Sequence, residues 1–139
     1  MAIVIKRFDN VTSFKKYIED TIAETKTLLG THMGEIEAIR QRYEKTKKRL
    51  DLIKKMTGGK QEGAKDTKQT EISGFRVLMN PTAEYELNLM EEAITSLQER
   101  LTNFENSREI FPVLSEESMK VGMVLNDGLP TGFLFYVLE

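Results

Sequence analysis

Between Val11 and Thr57 the apolar pattern can be written as Ile18, Ile22, Thr25, Leu29, His32, Ile36, Ile39, Tyr43, Thr46, Leu50 and Ile53, in alternating steps of four and three. That spacing returns each position to one stripe of an α-helix and predicts a long helix whose seam suits a single partner helix. Thr25, His32 and Thr46 weaken the stripe locally. Gly30 and Gly34 fall inside it, and each costs about 1 kcal/mol against alanine in a helix interior. The seam keeps its phase across both glycines, whereas an inserted loop would shift it, so one helix to about Thr57 is expected. A second seam runs through Leu87, Met90, Ile94, Leu97, Leu101 and Phe104 and is expected to fade before Pro112.

The period changes elsewhere. Ala2 to Phe8 is β-branched and aromatic and stops at Asp9-Asn10, which predicts a short strand, with Asn10, Thr12 or Ser13 able to cap the long helix that follows. Gly58-Gly59 ends that helix, and the stretch of about 58–70 has little to bury and reads as a flexible loop. Ile72 to Met79 regains strand character. Asn80 is the expected cap of the second helix, with Pro81 at its first position, where a missing N–H is harmless. Met119 to Leu125 alternates as a half-buried strand, Asn126-Asp127-Gly128 supplies a turn, and Phe133 to Leu138 is apolar on both faces. Such a strand is central in its sheet or paired with another chain. The expected fold is therefore α+β and helix-dominated, in the order β-α-β-α-β-β. A long antiparallel, coiled-coil-like helical hairpin packs on or projects from a small sheet, in a single domain over residues 1–139.

Composition narrows the function classes. With no cysteine among 139 residues, disulfides, thiolate nucleophiles and cysteine-based zinc sites are excluded. The N-terminal apolar run is too short for a secretion signal, its charges follow it, and no stretch approaches the roughly 20 apolar residues of a membrane span. A cytoplasmic setting without membrane insertion is the expectation. The net charge of −2 gives no global attraction to nucleic acid or an anionic surface.

Charge is instead segregated along the chain. From Arg40 to Lys68 eleven basic residues stand against four acidic ones, and Arg40, Arg42, Lys45, Lys47, Lys48 and Arg49 could follow a phosphate backbone. Thr82 to Ile110 has seven glutamates against Arg100 and Arg108, the complement expected if the two helices pair. Tyr43 is the sole aromatic in the basic run, so no stacking platform accompanies it, and helix pairing outweighs nucleic-acid binding.

Catalytic constellations are weak. Gly58 to Lys65 superficially resembles a phosphate-binding loop, but Ala64 stands where the lysine belongs and a helix precedes the loop. His32, the sole histidine, has no second ligand or nucleophile at workable spacing, and reads as a register-setting seam residue. Glu84, Glu86, Glu91 and Glu92, with Glu19, Asp20, Glu24, Glu35 and Glu37 on the first helix, lack the Glu-x-x-His pairing of di-iron bundles. The serines have one histidine among them and no nucleophile elbow. Neither catalysis nor a cofactor is expected.

What remains is surplus apolar pattern. The expected function is non-enzymatic: a scaffold-like assembly or interaction protein that oligomerises or docks a protein partner through its helical seams and apolar C-terminal strand. The interface residues so nominated are Ile22, Leu29, Ile36, Ile39, Tyr43, Leu50 and Ile94. The alternative is a nucleic-acid-associated factor using residues 40–68. A viral or mobile-element structural protein and a cellular adaptor share this profile.

Overall fold

The structure, a computed structural model, describes residues 2–57, 68–114 and 116–137. It is the expected helix-dominated α+β arrangement. The elements are strand β1 (Ile3–Phe8), helix α1 (Val11–Thr57), strands β2 (Lys68–Ile72) and β3 (Phe75–Met79), helix α2 (Ala83–Asn106), a 3₁₀ helix (Ser107–Val113), and strands β4 (Lys120–Asn126) and β5 (Leu129–Tyr136). The middle strand of the predicted order is a hairpin of two strands, turning at Ser73 and Gly74, which both have positive φ. Two successive left-handed residues match the twist of the paired strands. Lys68 to Thr70, expected in the loop, belong to β2, while the rest of the expected loop lies outside the described residues.

The chain divides into two compact units, Met1–Gly30 with Thr95–Glu139, and Thr31–Ile94. In the first, an antiparallel sheet has the order β1-β4-β5. Its inner face brings Phe8, Val121 and Met123 against Phe14, Ile18, Ile22 and Phe104, the centre of the core, with Phe111, Phe133 and Phe135 packed around them. Phe14 and Phe104 are fully buried. Burial of such side chains contributes about 1.5–3 kcal/mol each, the main force holding helix to sheet. Asn10 caps α1, its Oδ1 accepting from the Ser13 N–H at 2.8 Å. The loop before β4 closes on the same helix end: the Thr12 N–H donates to Glu117 Oε1 at 3.0 Å, and the Thr12 hydroxyl donates to that oxygen as well.

The second unit contains the later part of α1, the β2-β3 hairpin and the start of α2. His32 and Ile39 face Leu89, Met90 and Ala93, while Tyr43 and Leu50 face Thr82 and Ala83, so the helices run antiparallel here. Helix α2 is capped two residues later than expected. The Thr82 hydroxyl accepts from the Tyr85 N–H at 3.2 Å, while Asn80, the expected cap, has φ 53° and stands outside the helix. A left-handed Asn80 cannot present the extended geometry of a cap residue, and Thr82 takes that role.

Helix α1 is unbroken across Gly30 and Gly34. A Cβ at either position would meet nothing within 4 Å, so neither glycine is required by close packing.

Candidate interaction surfaces

The nominated seam residues are placed in the chain's own packing. Ile22, Ile36 and Ile39 are buried, and Leu29, Tyr43, Leu50 and Ile94 are half-buried. Ile22 belongs to the core of the first unit, and Ile39, Tyr43 and Leu50 line grooves against α2 in the second. The three polar seam positions have three different fates. Thr25 is buried with its hydroxyl donating to the Thr21 carbonyl at 2.7 Å, so its polar group is satisfied within the helix. Thr46 is exposed. His32 Nδ1 is buried without a hydrogen bond, 3.7 Å from Glu35 Oε2, beside a groove of about 360 Å³ shared with Ile39, Glu86, Leu89, Met90 and Ala93.

The basic segment is only lightly used by helix pairing. Arg42 Nη2 meets Glu86 Oε2 at 2.6 Å, and Arg40 meets Glu37 of its own helix at 3.6 Å. Among the described residues no ion pair engages Lys45, Lys47, Lys48, Arg49, Lys54 or Lys55, all exposed. Among the described residues, the contact of Arg42 with Glu86 is the ion pair that joins the basic segment to a glutamate of α2. In the first unit, Arg108 grips Glu19 through two hydrogen bonds, at 2.9 and 2.7 Å, and that contact raises the guanidinium pKa.

A third surface was not nominated as such. Side chains alternate across a strand, so the register that turns Phe8, Val121 and Phe135 inward turns Ile3, Ile5, Arg7, Lys120, Gly122, Val124, Leu134 and Tyr136 to the opposite face. Ile3, Ile5, Leu134 and Tyr136 are exposed there. Gly122 forms the floor between them: an added Cβ would lie 3.3 Å from Leu134 Cβ and 3.7 Å from Ile5 Cγ2. The missing side chain lets the branches of Ile5 and Leu134 converge above the central strand. At one end of the sheet Arg7, Asp9, Lys120 and Tyr136 rim a cavity of about 330 Å³. The signal for this face was present in the two-faced apolar run at the C-terminus and in Ile3 and Ile5 of the first strand.

Among the described residues there is no cluster of three or more His, Asp or Glu arranged to hold a metal ion, and no helix long and apolar enough to cross a membrane. The glycine-rich segment that resembles a phosphate loop lies outside the described residues. Comparison with protein families, curated proteins and solved structures finds no match to this chain.

Proposed function

We propose that this chain is a non-enzymatic assembly protein that associates through the apolar outer face and C-terminal strand of its β1-β4-β5 sheet. The observation that carries the reading is the uncovered face of Ile3, Ile5, Leu134 and Tyr136 over the Gly122 floor. Large apolar side chains grouped on one sheet face, with Arg7 and Lys120 at one end, mark a surface that a partner can cover, and sheet faces pack together about 10 Å apart when their side chains interdigitate. The nominated seam residues are buried or half-buried while Ile3, Ile5, Leu134 and Tyr136 are exposed, which supports the sheet for this role. A second copy is the simplest occupant, since one face can serve both sides of a two-fold contact.

Light scattering of the purified chain tests this in about 0.5 M salt, where charge pairing is largely screened. The expected mass is a multiple of 16.0 kDa. Ile5→Lys with Leu134→Lys is expected to return the monomer with an unchanged far-UV circular dichroism spectrum. A native chain that stays monomeric in this salt at the highest concentration reached refutes assembly through the sheet.

A further inference from the structure

The outer face of the β1-β4-β5 sheet changes character at one end. In the register of the strands Arg7 stands opposite Gly122 and Lys120 opposite Tyr136, which makes Arg7 and Lys120 diagonal neighbours across β1 and β4. Such neighbours are about 7–8 Å apart, within reach of long side chains. A guanidinium, an ammonium and a phenol from three adjacent strands therefore lie together beside the apolar patch of Ile5 and Leu134.

These three side chains rim a cavity of about 330 Å³, with Asp9 on the same rim and the buried residues Phe8 and Val121 completing the lining. Asp9 and Lys120 flank the last pair of the β1-β4 ladder, Phe8 with Val121. Among the described residues, however, no ion pair engages Arg7, Asp9 or Lys120. Two like charges held at neighbouring positions repel, and an anion seated between them turns that repulsion into two attractions.

We propose that this cavity binds a small phosphomonoester. Such a group carries a charge of about −1.5 to −2 near pH 7, which matches Arg7 and Lys120 together, whereas a carboxylate would match only one of them. The planar fork of Arg7 suits two phosphate oxygens, Lys120 adds a point charge, and the Tyr136 hydroxyl is a further donor. Asp9 is left as an acceptor for a hydroxyl on the carbon part of the ligand. The volume is at the small end of the range of about 300–1,000 Å³ typical of ligand sites, which suits a body of a few carbons. The site goes beyond the assembly reading and does not rest on it: Tyr136 borders both surfaces, but the two cations lie outside the apolar patch.

The test titrates the isotope-labelled full-length chain with inorganic phosphate and with glycerol phosphate in about 0.05 M salt, following amide shifts by NMR. Saturable shifts are expected at Arg7, Lys120 and Tyr136, with a dissociation constant of about 1 mM or lower and glycerol phosphate bound several-fold more tightly than phosphate. Arg7→Gln and Lys120→Gln are each expected to weaken both ligands about tenfold, because each removes a charge-assisted contact. Asp9→Ala should strengthen inorganic phosphate and erase the preference for glycerol phosphate. All three variants replace exposed side chains, and circular dichroism checks that each keeps the native fold. No saturable shift up to about 20 mM phosphate, or binding unchanged in both glutamine variants, overturns the proposal. So does acetate bound as tightly as phosphate, which would leave a general anion surface. Light scattering of the same samples reads assembly separately, so lost binding at unchanged mass counts against this site alone.

Discussion

Replacing Phe14 by alanine is the sharpest test of how the first unit holds together. The ring is fully buried and meets three other aromatic rings edge to face, with centroids 5.5 Å from Phe8, 6.0 Å from Phe111 and 5.8 Å from Phe133. Those partners come from β1, the 3₁₀ helix and β5, so one side chain ties α1 to three other parts of the unit. A buried Phe→Ala change costs about 3–5 kcal/mol through lost transfer energy and the cavity left behind. Three aromatic pairs, each worth about 0.5–1.5 kcal/mol beyond area burial, place Phe14 in the upper half of that range. At about 2–4 °C per kcal/mol for a chain near this size, the melting temperature should fall by roughly 10–20 °C. Urea unfolding followed by circular dichroism at 222 nm reads the free energy, and thermal melts read the shift. Phe75→Ala is the control, since that ring is 73% exposed at the hairpin and should change stability by no more than about 0.5 kcal/mol. A Phe14→Ala loss below about 1.5 kcal/mol would refute the assignment of the aromatic cluster as the centre of the core.

Gly30→Ala and Gly34→Ala should each stabilise the protein by up to about 1 kcal/mol in urea unfolding, because the helix is continuous there and a Cβ meets nothing at either site. His32→Leu should raise stability by about 1 kcal/mol, measured the same way, by removing a buried Nδ1 that has no hydrogen bond and filling the groove beside Ile39 and Met90. The hydroxyl and the backbone N–H of Thr12 hold the Glu117 carboxyl below its ordinary pKa of 4.5. Depression of a carboxylate stabilises the folded chain above that ordinary value, and the contribution is lost as pH falls through the lowered one. An NMR titration of Glu117 should show the depressed midpoint, and Thr12→Val should move it back towards 4.5.

The long helix was legible because its signal is one-dimensional. A seam that keeps phase over many turns identifies a helix and its apolar side without reference to anything distant, and α1 from Ile18 to Leu50 buries or half-buries every seam position except Thr46. The same held for α2 and for the β4-β5 hairpin, whose turn at Asp127 and Gly128 carries positive φ at both residues. The β2-β3 hairpin was harder to see. Ser73-Gly74 is a less usual pair for a left-handed turn than Asn-Gly, and Lys68 to Glu71 lack the apolar alternation that announces a strand. Local capping was ambiguous for a related reason. Asn80 and Thr82 are both good cap residues, and only the backbone angle at Asn80 separates them.

Sequence alone determined the periodicities, the segregation of charge and the exclusion of cysteine chemistry, because each follows from residue type and spacing. It located apolar surplus in the helical seams and the C-terminal run, and positive surplus from Arg40 onward. Which surplus stays exposed was decided by tertiary structure. The antiparallel pairing of α1 with α2 drew Ile36 and Ile39 inward and engaged one arginine of the basic segment with a glutamate of α2, while the sheet order β1-β4-β5 set Ile5, Gly122 and Leu134 side by side on an uncovered face. The physical reason is that a seam or a charge can be counted along the chain, whereas the side chains that meet it come from residues tens of positions away, and only folding brings them together.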